Sequence, residues 1–283
     1  MTRVVYVNGR FVPWHAATVH AEDRGFQFAD AVYEVCEVRG GRLVDETRHL
    51  ARLERSLGEL GMGMPMSRAS LGVVLRESIR RNRVRSGTVY LQVTRGAAPR
   101  DFLFPSADVA QTVVCIARPG RMAGATRGIS VVTAPEMRWE RCDIKTVMLL
   151  PAVLAKETAR AAGAREAWFV DDDGLVTEGA SSNAWIVTAD GLLVTRPADT
   201  TILRGVTRST LEDVARSLGL VVVERAFTVA EAHAAREAFI TSASNIVMPV
   251  VRIDGADIGN GEPGAVALRL RQTFHDVAEI ALP

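Results

Sequence analysis

The sequence predicts an α+β or mixed α/β chain built in two parts. Short strand-like runs outnumber helical ones, and several are joined by tight turns such as Asp173-Gly174 and Asp190-Gly191. Helices do not alternate one for one with strands, as a regular βαβ succession would require. Periodicity is lost in one long stretch, residues 118–128, where one Pro, three Gly and three Arg displace any pattern. A length of 283 residues suits one large or two medium domains of roughly 150 residues each. The expected division is a small N-terminal domain over 1–117, a linker over 118–128 and a larger C-terminal domain over 129–283.

Taken in order, Val4–Val7 and Phe11–Val12 flank Asn8-Gly9, two residues that tolerate positive φ and so signal a hairpin. Residues 22–28 read as a loop rich in aromatics. The run Val32 to Val38 alternates, with Tyr33, Val35 and Glu37 on one face and Val32, Glu34, Cys36 and Val38 on the other. An acid on each face suggests that one of them borders a wet cavity. Gly40-Gly41 turns the chain, and Arg42–Val44 pairs back. Leu50, Leu53, Leu57 and Leu60 mark a helix over 46–60 that stops at Gly61. Ser67 caps a second helix carrying Leu71, Val74, Leu75 and Ile79. Strands are expected at 88–94 and 112–117, separated by a loop, Arg100 to Pro105, with more aromatics than a connector needs. The second half gives strands at 129–133, 166–170, 175–177, 184–187, 192–195, 220–224, 238–241 and 246–253. Its helices fall at about 147–162, 207–218, 229–236 and 264–279.

Composition narrows the function. A net charge of +1 leaves no footprint for nucleic acid or an anionic membrane. The N-terminus has no signal-peptide layout and no apolar run is long enough to span a bilayer. Cys36, Cys115 and Cys142 have no metal spacing and read as reduced thiols of a cytoplasmic protein. Cys142 as a nucleophile lacks a histidine near it in sequence. The five histidines show no paired zinc spacing, so no metal is expected, and no glycine-rich phosphate loop of the P-loop or dinucleotide type is present.

Two of the 34 Lys and Arg residues are lysines, Lys145 and Lys156. Arginine never loses its proton in a protein, so chemistry that needs a free amine falls to these two. Lys156 lies where charge begins to interrupt a helical run and reads as solvated. Lys145 lies between a polar turn and the apolar Val147–Leu150, a place for an ammonium partly withdrawn from water. A salt bridge to Asp143 fits it equally well. Further on, Glu178 stands at a strand end among Ser181, Ser182 and Asn183, and Gly205-Val206-Thr207 opens a helix whose free N–H groups favour an anion. Amine, carboxylate and phosphate seat together suit pyridoxal phosphate: the amine forms the Schiff base, the acid keeps the pyridine nitrogen protonated and the helix end holds the phosphate. Each piece alone also has an ordinary reading as a turn or a cap.

The runs EDRGFQFADAVYEV, RHLARLERS, VTRGAAPR, RWERCDIKTVMLL, AVLAKETA, VTEGASSN, ILRGVTR and FITSASN, in that order, resemble the class IV aminotransferases, and within them the D-amino-acid aminotransferases. The resemblance spans about residues 3–255. It implies a two-domain fold-type IV enzyme with a pseudo-barrel C-terminal domain, pyridoxal 5′-phosphate in the cleft between the domains, and a homodimer whose active sites take residues from both subunits. It implies Lys145 as the Schiff-base lysine and Glu178 as the partner of the pyridine nitrogen. Arg52, Val206 and Thr207 would bind the phosphate, with Ala243 and Ser244 on the second phosphate loop. Ala243 stands where the family has a Thr, so only its backbone N–H or Ser244 can serve there.

For the substrate carboxylate the resemblance implies Tyr33 and Arg100. The family's third donor, a His, is replaced by Phe102. The activity implied is transfer of an amino group from a D-amino acid to a 2-oxo acid such as 2-oxoglutarate or pyruvate. Branched-chain L-amino-acid or (R)-amine transamination and aminodeoxychorismate cleavage are the alternatives within the superfamily. A cofactor-free binding protein is the alternative outside it.

Overall fold

In the computed structural model, residues 3–120 and 124–281 are described. Residues 121–123 of the expected linker lie outside them. The chain divides into two compact units. The first takes Met1–Met122 together with two short returns, Ile144–Met148 and Glu279–Pro283; the second takes Ala123–Asp143 and Leu149–Ala278.

The first unit holds β1 (Val4–Val7), β2 (Arg10–Pro13), α1 (Arg24–Phe28), β3 (Ala31–Arg39), β4 (Arg42–Leu43), α2 (Glu46–Glu59), α3 (Arg68–Arg81), β5 (Ser86–Thr94) and β6 (Thr112–Pro119). Its six strands run in the order β2-β1-β6-β5-β3-β4, every neighbouring pair antiparallel. Asn8 adopts φ 45° and Gly9 φ 88°, the positive values the hairpin between β1 and β2 requires. Alternation along β3, β5 and β6 buries Val32, Cys36, Val89, Leu91, Val93, Val113 and Cys115. Helix α2 packs on β3 and α3 on β6 and β1, bringing Leu50, Leu53, Leu57, Leu71 and Leu75 into the same core. Ser67 caps α3 by accepting from the Ser70 N–H.

The second unit holds β7 (Ile129–Pro135), α4 (Leu150–Ala161), β8 (Glu166–Val170), β9 (Val176–Gly179), β10 (Asn183–Val187), β11 (Leu193–Thr195), α5 (Val206–Ser217), β12 (Val222–Glu224), α6 (Val229–Ala234), β13 (Glu237–Ser242), β14 (Ile246–Ile253), β15 (Ala256–Asp257) and α7 (Ala265–Val277). Eight strands follow the path β12-β11-β10-β13-β14-β7-β8-β9, and β15 pairs with β14. Parallel pairs, β14·β7, β7·β8 and β11·β12, sit among antiparallel ones, so the mixed class is what forms. Strand β10 is buried at every position, and Trp185 stacks on Phe239 of β13 at 5.6 Å. Trp168, Phe227, Ile240 and Met248 fill the main core.

Three local differences from the sequence reading have physical causes. The expected loop at 22–28 contains α1, which Asp23 caps by accepting from the Gly25 N–H; five residues are too few to display a helical period. Helix α4 starts at Leu150 rather than 147, because residues 144–148 pair with β3 and Pro151 suits a first turn. The short strand β15 lies in a stretch that the sequence left unassigned. No helix among the described residues is long and apolar enough to cross a membrane.

Leu53 is fully buried on the face of α2 that meets the sheet. Leu53→Ala is expected to lower stability by about 2–5 kcal/mol through lost burial and a residual cavity. Urea unfolding measures it, and a loss below about 1 kcal/mol would contradict this packing.

Candidate active site

In the first unit the lysine is placed by backbone pairing. Thr146 forms an antiparallel bridge with Val32. The Tyr33 N–H donates to the Lys145 carbonyl at 3.0 Å and the Val147 N–H donates to the Ala31 carbonyl at 3.1 Å. The Lys145 N–H reaches the Ser56 Oγ of α2 at 3.4 Å. These contacts leave the Lys145 Nζ 4.2 Å from the centroid of the Tyr33 ring. An aromatic face attracts an ammonium without taking its proton. Tyr33 stacks in turn on Tyr90 at 5.6 Å, and the Tyr90 hydroxyl donates to Gln92 Oε1 at 2.6 Å. Burial, then the neighbouring Tyr33, push the Tyr90 phenol up to about 12.

The salt bridge considered for Lys145 does not form: Asp143 instead takes both Nε and Nη2 of Arg141, at 2.9 and 3.0 Å. Lys156 is tied down more than a solvated position would be. Its Nζ donates to the Arg165 carbonyl at 2.7 Å and pairs with the buried Glu166 at 3.2 Å.

Arg52 projects from α2 toward β3. Its Nε donates to Glu34 Oε1 and its Nη2 to Glu34 Oε2, both at 2.7 Å. His49 Nδ1 lies 2.7 Å from the same Oε2. Burial would raise the Glu34 pKa, but the charge and hydrogen bonds of Arg52, then His49, overcome it and hold the carboxyl well below its usual range. The Glu34 face is therefore an ion-paired interior, so a wet cavity on one face of β3 would have to lie on the other, the Tyr33 face.

In the second unit Glu178, next to last in β9, sits in a ring of donors. Arg138 Nη1 donates to Oε1 at 2.5 Å, the Leu203 N–H donates to Oε1 at 3.0 Å, and Asn183 Nδ2 donates to Oε2 at 2.9 Å. Arg138 also bonds Glu136 through Nε and Nη2. Burial opposes the Arg138 charge, but the Glu136 hydrogen bond and the Glu178 charge outweigh it and raise its pKa. Asn183 Nδ2 also donates to the Leu203 carbonyl at 2.8 Å, so one amide ties the carboxylate to the segment leading into α5.

Gly205 is the N-cap of α5 and makes no side-chain cap. A Cβ there would lie 2.2 Å from Asn183 Oδ1, so only glycine allows this approach. Val206 and Thr207 follow, buried, in the first turn, where N–H groups point outward along the axis and favour an anion. The turn Ser242–Asn245 carries Ala243 and Ser244; Ser242 ends β13, and Thr241 pairs with Asn183. The turn thus rises at the end of the sheet where Asn183 stands.

Arg100 and Phe102 lie on a loop of the first unit. The Arg100 guanidinium is 5.0 Å from the Phe28 ring and 5.7 Å from the Phe102 ring, and those two rings meet edge to face at 5.6 Å. Phe102 is 80% exposed. Buried Arg24 anchors this loop, donating from Nη1 to the carbonyls of Asp101 at 2.7 Å and Leu103 at 3.3 Å. Its Nε donates to Asp30 Oδ2 at 2.8 Å, and Arg95 Nε reaches the same oxygen at 2.7 Å.

The structure thus joins Tyr33 to Lys145, and Glu178 to the start of α5. The sequence reading did not single out His49, Arg138, Arg24 or Asp30. Glu34 leaves a signal in the sequence, as one of two acids on an alternating strand.

The Glu34 shift has a pH consequence. A carboxyl whose pKa is depressed on folding contributes stability that is fully present above its ordinary value of 4.5 and is lost as pH falls below it. Glu34→Gln is expected to cost about 3–5 kcal/mol at neutral pH, with the gap to the wild type narrowing below pH 4.5. Urea unfolding at several pH values checks this; a gap independent of pH would contradict it.

Residues 31–253 match the family model for amino-transferase class IV. The chain is 41% identical over 275 residues to a D-alanine aminotransferase of Bacillus licheniformis, covering 96% of each chain. Its fold is similar to that of the branched-chain amino acid aminotransferase of Escherichia coli, with a TM-score of 0.89, 25% identity, and coverage of 98% of this chain and 95% of that one. It also shares its fold with a hypothetical aminotransferase from Mycobacterium tuberculosis solved in a PLP-bound form. That pair gives a TM-score of 0.84 at 24% identity, covering 97% of this chain and 98% of the other.

Proposed function

The chain belongs to the class IV aminotransferases, and we propose that Lys145 is the amine that holds its cofactor. The enzyme depends on pyridoxal 5′-phosphate and moves the amino group of a D-amino acid, such as D-alanine or D-glutamate, to 2-oxoglutarate or pyruvate. The observation that carries the lysine assignment is the setting of its Nζ. It rests against the Tyr33 ring with no ion-pair partner among the described residues, whereas Lys156 is engaged by Glu166.

The donor set fits the cofactor. Glu178 is a buried carboxylate that accepts hydrogen bonds from Arg138, Asn183 and the Leu203 N–H, and α5 has no N-cap side-chain hydrogen bond. When bound, the cofactor supplies an aldehyde for the substrate amine and a ring that takes up the electrons freed with the α-proton. Lys145 would hold that aldehyde at its Nζ. Its Nζ would be the group that moves the α-proton, as base and then as acid. Glu178 keeps a proton on the ring nitrogen; the Arg138 ion pair and the Asn183 amide fix its two oxygens. Arg52 supplies charge to the phosphate. Val206 and Thr207 supply helix N–H groups, and Ala243 offers a backbone N–H beside the Ser244 hydroxyl.

Tyr33 and Arg100 receive the substrate carboxylate, and Phe102 offers no donor. The domain division at 118–128 and the homodimer stand as parts of the same proposal. Leu150, Val153 and Leu154, exposed at helical spacing on α4, support a second copy as the partner.

Lys145→Ala is expected to abolish turnover while leaving a folded protein. Borohydride reduction of the wild-type enzyme followed by peptide mapping should label Lys145; label on Lys156 would overturn the assignment.

Phe102→His adds a donor to the carboxylate trap, an effect of about 1.5–3 kcal/mol, and is expected to raise kcat/KM for D-alanine tenfold or more. Arg100→Ala is expected to lower it by a larger factor. Steady-state kinetics with 2-oxoglutarate decides, and wild-type kcat/KM in Arg100→Ala would move carboxylate recognition elsewhere.

A further inference from the structure

The cluster Glu34, His49 and Arg52 is buried: the three side chains are 2%, 4% and 11% exposed. His49 and Arg52 are three residues apart on α2 and so project from one side of the helix toward β3. Glu34 meets them from the strand. Its two oxygens take the Nε and Nη2 of Arg52 in a parallel fork, which fixes the plane of the guanidinium as well as its position. His49 Nδ1 must carry the hydrogen it shares with an ionised Glu34, so it donates to Oε2 and holds the carboxylate from the side.

Stability alone does not account for this cluster. A buried ion pair is often no more stabilising than apolar residues of the same volume. The other residues on this face of the strand, Val32, Cys36 and Val38, are apolar and buried, as are Leu50 and Leu53 of the helix. An apolar residue at position 34 would continue the pattern. What the charged trio adds is direction. The fork occupies the Nε–Nη2 edge of Arg52, and Nη1 lies on the side of the guanidinium away from Glu34. A guanidinium already fixed loses little freedom when an anion arrives. The register of β3 also ties this arginine to the lysine. Tyr33, one residue before Glu34, donates its N–H to the Lys145 carbonyl and places its ring under Nζ. One dipeptide of β3 thereby sets the position of both groups.

We propose that Glu34 and His49 are positioning residues for Arg52, holding its guanidinium so that the edge away from Glu34 meets the cofactor phosphate. The inference rests on the reading of Arg52 as a phosphate ligand. Glu34 and His49 touch neither cofactor nor substrate in this arrangement. Their effect is on phosphate recognition and not on the reaction at the aldehyde.

The test is the affinity of the full-length apo form for pyridoxal 5′-phosphate and for pyridoxal, which lacks the phosphate, followed by cofactor absorbance. Arg52→Ala sets the scale. It is expected to remove most of the preference for the phosphorylated compound, and if it leaves that preference intact, the phosphate reading of Arg52 fails and this proposal with it. With that established, Glu34→Gln and His49→Ala are expected to weaken pyridoxal 5′-phosphate binding about tenfold or more while leaving pyridoxal binding near wild type. His49→Asn, which keeps a donor toward Glu34, should restore much of the loss. In the Arg52→Ala background, Glu34→Gln should have no further effect on the preference. If Arg52→Ala lowers the preference but His49→Ala, folded by circular dichroism, does not, the positioning role is wrong. Equal weakening of both compounds by His49→Ala would overturn it too, since that marks a merely structural role. Should Glu34→Gln fail to fold, the His49 variants carry the test unaided.

Discussion

Two backbone hydrogen bonds, from Tyr33 to Lys145 and from Val147 to Ala31, hold a mid-chain segment against a strand laid down much earlier in the sequence. Every other feature of the lysine depends on them. They fix Thr146 opposite Val32. Because a slip of one residue would send alternate side chains to the opposite side, they also decide that Lys145 and not Thr146 faces the Tyr33 ring. Residues 144–148 therefore cluster with the N-terminal unit although they lie far past its last strand. Helix α4 begins only after this pairing ends.

Around this constraint the chain repeats one device, an arginine locked by a carboxylate to hold something else. Arg52 is held by Glu34, Arg138 joins Glu136 to Glu178, and Arg24 shares Asp30 with Arg95 while gripping the loop that carries Arg100. A chain with almost no lysine has abundant forks for this purpose, and the planar guanidinium suits it better than an ammonium would. Lys145 is treated differently. The amine assigned to chemistry is set against an aromatic face, with no ion-pair partner among the described residues.

Much of this is legible in the sequence, and for identifiable reasons. The leucines of α2 at helical spacing, the Ser67 cap and the Asn8-Gly9 turn are local signals, and each forms as read. Glu178, Val206 and Thr207 can be picked out because a strand end and a helix start have local signatures. Other features depend on long-range partners. Asn183 reads as a turn residue until its amide is found bridging Glu178 and Leu203. Arg138 and Glu136 carry no local signal, and their link to Thr177 appears only in the fold. The alternation of β3 places an acid on each face but cannot say which one is buried, because the compensating Arg52 and His49 lie on a helix that the strand cannot announce. The pairing of 144–148 with β3 leaves no periodic trace, being too short to display one.

The most direct test of the lysine and its partners is a crystal structure of the enzyme with pyridoxal 5′-phosphate bound. Continuous density from Lys145 Nζ to the cofactor is expected, with the ring nitrogen within hydrogen-bond distance of Glu178 and the phosphate on Arg52 and the first turn of α5. Density joined to Lys156 instead, or a ring nitrogen turned away from Glu178, would contradict this assignment.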